Sequence, residues 1–308
     1  MFSPDEIIFA PVSECNLACS HCNVKRTEQK LSVKHAVRFL RRCRDAGIDR
    51  VGFSGGEPFL AHDFLCRLSA VAVKEDMFFD RLMTNAVWFR NKSRLLDVLA
   101  GLYDSGFDGK FGISVDAYHR QDVKKIALFI RCVEKIWQEQ TRIELVCVSV
   151  PGDAAAARHK INTLAGFLGI KSADLNIVNI DLSPVDNAVV LADPWSDGEW
   201  FKDDMCAGPG NVFYVHPDGN TAVCCGYANQ ETGLIVGNIK NDTPQKMIER
   251  ASDSKFISTV YSCGLEEIRN KLQANGVEFP GKTLNHCFFC WYLLKNFSGA
   301  FLETILEK

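Results

Sequence analysis

The stretch SECNLACSHC places Cys15, Cys19 and Cys22 at intervals of four and three residues. Three thiols are an odd number, which argues against a disulfide framework. A compact loop with thiolates at these intervals can wrap three corners of a cubic iron–sulfur cluster, leaving the fourth iron open to another ligand. The alternative is a zinc site of these three thiolates completed by His21 or by a distant residue. Which of the two holds depends on what else the chain brings to the same place.

The elements that must position these thiols are read from periodicity. Short β-branched runs, EIIFAPV, RVGFSG, RLMTN, KFGISVD, IELVCVSV and LNIVNI, read as strands. Between them lie stretches such as VKHAVRFLRRCRDAG and VKKIALFIRCVEKIWQEQ, whose apolar residues recur at three and four, as in a helix buried on one face. Strand–helix alternation from residue 5 to about 180 predicts a mostly parallel sheet with helical crossovers, open or curved into a barrel. Ligands in such folds bind at the carboxyl ends of the strands, where the cysteine loop leaves the first one. Asp153 is expected to cap the helix that begins at DAAAAR.

The second strand is followed by FSGGEPFL. Gly55 and Gly56 permit close backbone approach at a strand end, and Glu57 offers an acceptor for a cationic amine. Cys-x3-Cys-x2-Cys after one strand and Gly-Gly-Glu-Pro after the next closely resemble the radical S-adenosylmethionine (SAM) superfamily. The resemblance implies a partial (β/α)6 barrel and a 4Fe–4S cluster on Cys15, Cys19 and Cys22. SAM then chelates the open iron and is cleaved reductively to a 5′-deoxyadenosyl radical. By the same resemblance, Gly55, Gly56, Glu57 and Pro58 form the amine-binding strand end. Asn85, Ser114 and Asp116, at the ends of the third and fourth strands, are further SAM-contact candidates. Tyr118 and His119 could reach substrate, although a structural histidine is the better account of His119.

A second zone begins past the Pro-, Asp- and Gly-rich stretch at 181–200, so the expected domains are 1–197 and 198–308. NVFYVHPDGNTAVCCG reads as two strands around a PDGN turn, and LIVGNI as a possible third strand. Cys206, then Gly219 with Cys224, then Cys287 and Cys290 in HCFFCWYL, resemble the opening and closing ligands of a twitch/SPASM-like α+β domain. This implies one fully ligated auxiliary 4Fe–4S cluster; a four-cysteine zinc site is the alternative. Phe288, Phe289, Trp291 and Tyr292 would shield it or form core. On a strand neighbouring side chains face opposite ways, so Cys225 should point away from what Cys224 binds. Cys225 and Cys263 are the two thiols left over, and the resemblance, through radical SAM peptide epimerases, implies either as a candidate hydrogen-atom donor. Cys43, Cys66, Cys132 and Cys147 read as buried small hydrophobes.

The chain of 308 residues is 47% hydrophobic and carries a net charge of −3, which gives no support to nucleic-acid or membrane binding. No apolar run approaches a bilayer span and no signal peptide is evident, so a cytoplasmic location is expected, with the thiols reduced. The expected activity is radical modification of a peptide, by oxidation, cross-linking or epimerisation, with flavodoxin or ferredoxin as electron donor. Few residues precede the first strand, so an amino-terminal peptide-recognition domain is not expected. Oxidation of a small-molecule alcohol is the alternative, and a non-catalytic iron–sulfur or zinc protein a remote one. Asp181, ending the sixth strand, is well placed for substrate.

Overall fold

A computed structural model describes residues 2–139, 142–150, 155–202, 206 and 211–307, so the expected cap at Asp153 lies outside the described residues. Six strands alternate with five helices: β1 (Glu6–Phe9), α1 (Val33–Asp45), β2 (Arg50–Phe53), α2 (His62–Lys74), β3 (Phe78–Thr84), α3 (Lys92–Asp104), β4 (Lys110–Ser114), α4 (Val123–Trp137), β5 (Ile143–Ser149), α5 (Ala155–Leu168) and β6 (Ile177–Asp181). All five neighbouring pairs from β1 to β6 are parallel. This is the α/β architecture that the alternation predicts.

Local signals explain where the helices start. Ser32, Asn91 and Asp122 each accept a hydrogen bond from a backbone N–H two or three residues on, at the heads of α1, α3 and α4. Ile7 and Phe9 of β1 are fully buried, whereas Glu6 and Ile8, one residue out of phase, are only half-buried. The even alternation puts one face of the sheet against Leu40, Leu65, Leu99 and Phe129 of the helices. The opposite face is left to enclose a space.

The hairpin expected after residue 200 exists as β7 (Val212–Val215) and β8 (Asn220–Ala222), with Gly219 at φ +91° in the turn. A third strand, β9 (Ile235–Asn238), pairs antiparallel with β8. Periodicity gives no hint of how this hairpin joins the first six strands. β7 lies parallel to β1, with Ile7 opposite Phe213, so one nine-stranded sheet runs β6-β5-β4-β3-β2-β1-β7-β8-β9. Helices α6 (Pro244–Asp253), α7 (Lys255–Ser262), α8 (Leu265–Ala274), α9 (His286–Asn296) and α10 (Gly299–Leu306) complete the chain. Among the described residues no helix is long and apolar enough to cross a membrane.

Candidate functional site

The sheet face turned away from α1–α5 borders a cavity of about 1160 Å³. Cys15, Cys19 and Cys22 line it from the loop after β1, Gly55 and Gly56 from the end of β2, Asn85 from β3 and Ser114 from β4. All three thiols are half-buried, and no described cysteine is in a disulfide. They lie close enough to repel as thiolates. Burial, then the charges of Cys22 and Cys15, pushes the Cys19 thiol up to about 12. Leu17 N–H and Asn85 Nδ2 point at the Cys15 sulfur from 3.4 and 3.5 Å.

The glycines have a second use that spacing alone does not reveal. Gly56 N donates to Val12 O at 2.9 Å and Glu57 N to Glu14 O at 2.8 Å, lacing the cysteine loop to the end of β2. A Cβ on Gly56 would stand 2.1 Å from Glu14 O, so a glycine is needed for the two backbones to touch. Gly55, at φ +124°, makes the turn that permits it.

Glu57 is placed differently from the expectation that it faces a cationic amine. It is 0% exposed and does not line the cavity; Pro58, also buried, opens a 3-10 turn beside it. The Glu57 carboxylate accepts from Thr84 Oγ1 (2.9 Å), Asn85 N (2.8 Å) and Phe59 N (3.3 Å). Burial raises its pKa to about 7, against the pull of these three donors. Its position makes it a clamp holding the end of β3 against the end of β2. Asn85 passes the restraint on, donating to Asn16 Oδ1 at 2.8 Å inside the cysteine loop.

Asp116 is likewise turned inward. It is fully buried and accepts from Tyr118 N, His119 N and His119 Nδ1 at 2.8–3.0 Å. Burial pushes its pKa up, but the hydrogen bonds and charge of His119 outweigh that and hold it below the usual carboxylate value. His21 stacks edge-on to His119 at 4.7 Å between ring centroids, and its Nδ1 has no hydrogen-bond partner. His21, Asp116 and His119 bring their ligand atoms within 4.8 Å of one another and are therefore able to hold a metal ion; among the described residues no three thiols meet that spacing.

Two residues not singled out in the sequence tie these strand ends together. Gln121 Nε2 donates to Asn85 O and Ser114 O, both at 2.7 Å. Lys160 of α5 donates to Asp116 O and Gln121 Oε1, also at 2.7 Å. Nothing local in the sequence marks either residue, because the carbonyls they reach are brought to them only by the fold.

The second zone gathers Cys206, Cys224 after β8, and Cys287 with Cys290 in the first turns of α9. Burial lifts the Cys224 thiol far above its usual value, followed by the charges of Cys225, Cys206, Cys290 and Cys287. Gly226 N–H donates to the Cys224 sulfur at 3.1 Å. Buried aromatic rings enclose the zone: Trp195 lies 5.1 Å from Phe288, and Phe201 5.3 Å from Phe289. Cys225 parts from Cys224. Its side chain packs with Ala10, Tyr214 and Ala222 and lines the cavity, whereas Cys224 joins the main core. Cys263 ends α7 exposed, in contact with Ser262 and outside the cavity lining, so its position does not suit the hydrogen-donor role expected of it. Asp181 is exposed at the rim. Among the four cysteines expected to be core, Cys66 is only half-buried, 3.2 Å from His62 Nε2.

Comparison with known proteins fits this geometry. Residues 10–138 match the family model described as the radical SAM superfamily. The chain is 29% identical over 113 residues to the S-adenosylmethionine-dependent nucleotide dehydratase RSAD2 of Oncorhynchus mykiss, covering 33% of this chain and only 32% of that protein. It is 22% identical over 296 residues to the "Putative peptide biosynthesis protein YydG" of Bacillus subtilis (strain 168), covering 92% of this chain and 90% of the other. The solved structure of native anSMEcpe with bound AdoMet and Cp18Cys peptide shares the fold, with a TM-score of 0.59 at 14% identity and 98% of each chain covered. Residues 10–138 therefore belong to the radical SAM superfamily.

Proposed function

We propose that the enzyme modifies a peptide, with Cys225 returning a hydrogen atom to a substrate radical. The observation that carries this is the shared cavity: Cys225 faces the same space as Cys15, Cys19, Cys22 and Gly55–Gly56. The similarity to YydG along nearly the whole of both chains supports a peptide as substrate. So does size. At about 1160 Å³ the cavity exceeds the ~300–1,000 Å³ usual for one small ligand, which leaves room for SAM and part of a second molecule.

Cys15, Cys19 and Cys22 would hold a 4Fe–4S cluster with SAM beside Gly55, Gly56 and Ser114. Cys206, Cys224, Cys287 and Cys290 would hold an auxiliary one, in a twitch/SPASM-like segment at 198–308. When bound, these groups would supply one-electron chemistry and the 5′-deoxyadenosyl radical that takes a hydrogen atom from substrate. Gly56, Glu57 and Asn85 fix the cysteine loop. Cys225 gives its S–H hydrogen to the substrate carbon, and its sulfur then recovers one electron from a flavodoxin- or ferredoxin-type donor and one proton from solvent.

The test is anaerobic reconstitution with SAM, reductant and a panel of short linear peptides, run in heavy water. One deuterium gained by the peptide is the expected result, lost in Cys225→Ala and kept in Cys263→Ala. Incorporation that survives in Cys225→Ala removes the donor role. A product two hydrogens lighter indicates oxidation instead. Turnover with a small alcohol and with no peptide replaces the whole reading by the dehydrogenase alternative.

A further inference from the structure

The nine-stranded sheet has two edges, and among the described residues only one of them is closed by its own chain. At β9, Arg250 Nη1 donates to Val236 O (2.9 Å) and Asp242 Oδ2 accepts from Asn238 N (2.9 Å), so side chains occupy the outer backbone groups. Side chains placed on an edge in this way prevent further strand pairing. At β6 nothing comparable is present among the described residues.

The ladder shows which β6 groups are open. Leu145 N donates to Asn176 O and Leu182 N donates to Ser149 O, both at 2.8 Å. Alternation between these two bonds turns the backbone of Val178 and Ile180 toward β5, and that of Ile177, Asn179 and Asp181 outward. Asn179, Ile180 and Asp181 are exposed. Among the described residues nothing pairs with these three amides and three carbonyls, which form a template for one more strand.

That row borders the cavity. Ile180 stands opposite Val148 in the register, and both line the cavity, as does Asp181. In a strand added alongside β6, every second side chain would fall on the face shared by Val148 and Ile180, toward the thiols of the first loop. Charge selects the occupant. Asp181, at the end of β6, lines the cavity; Asp193 and Asp197 also line it, each accepting from a backbone N–H, of Trp195 and Leu284. The lining cations belong to other walls: Lys25 and Arg26 to the cysteine loop, Arg26 bound to Cys15 O and Leu17 O, and Arg81 to β3, 2.9 Å from Glu144.

We propose that the substrate peptide binds by adding an extended stretch, rich in Lys or Arg, to the outer edge of β6, so that alternate residues enter the cavity. This rests on the proposed peptide substrate and specifies how the peptide is held.

The test is a selection of random linear peptides of about 10 residues, enough for one strand and its flanks, against the reconstituted holoenzyme with SAM. Selected peptides are then remade with single backbone N-methyl groups. Basic sequences are expected, with N-methylation weakening binding about tenfold at alternate positions and less than about twofold between them. Asn179→Pro removes one outward N–H and leaves the ladder to β5 intact, and it should weaken the same peptides about tenfold. Its iron content and melting temperature check that it is folded; if it is not, the N-methyl series decides alone. Peptides that bind with no alternation, or that are acidic, overturn the edge-docking inference and leave the peptide reading standing. No enriched peptide from an enzyme that cleaves SAM overturns both.

Discussion

The two cysteine zones of this enzyme are built in opposite ways. The first draws three thiols from eight consecutive residues, leaves them half-buried, and turns them toward a cavity. The loop is held from behind by backbone bonds to Gly56 and Glu57. The second draws four thiols from three separated segments and packs aromatic side chains around them. A short loop with one open side suits a centre that must accept a further ligand. A set drawn from three segments and packed among aromatic rings suits a centre that keeps its ligands and exchanges only electrons. These thiols too are half-buried, however, and Cys287 also lines the cavity.

The largest expected effect separates the zones outright. Replacing Cys15, Cys19 and Cys22 together by Ala should abolish SAM cleavage and lower reconstituted iron from about eight to about four per chain. Iron falling from about four to none would mean that the second zone holds no cluster. Next in size is Phe289→Ala. This ring is 0% exposed and packs on Phe201 and Phe279, so unfolding free energy should drop by ~3–5 kcal/mol, measured by denaturant titration. Iron in the second zone should be lost before iron in the first. An equal loss from both would show the two zones to be one cooperative unit.

Glu57→Ala sharpens the comparison from the other side. It deprives Thr84, Asn85 and Phe59 of a buried acceptor, at a cost of ~2–4 kcal/mol, and should loosen the first zone preferentially. Unchanged stability would mean that the clamp on the end of β3 is dispensable.

Much of the fold was legible in the chain itself. All six strand candidates of the amino-terminal region correspond to β1–β6, because short β-branched runs set between helical patterns fix the type and order of the elements, though not their ends. The Gly219 turn was legible for the same reason: its backbone geometry is a local property. The roles of individual polar residues were less so. Glu57 reads as a ligand for an amine and stands instead as an acceptor for three groups of its own chain. Gln121 and Lys160, which no motif marks, bridge the ends of β3 and β4. A side chain's partner depends on what the fold brings to it, and spacing along the chain does not carry that information.

Short-range pattern and motif are enough to set the strand–helix order, the positions of the thiols at strand ends, and the radical SAM character of the amino-terminal region. The folded chain was needed for the rest: that β7 extends the first sheet through β1, that Cys225 faces the cavity while Cys224 and Cys263 do not, and that β6 keeps an open edge. Each of these depends on contacts between residues far apart in the chain, where packing and hydrogen bonding select one pairing among several that local preference allows equally.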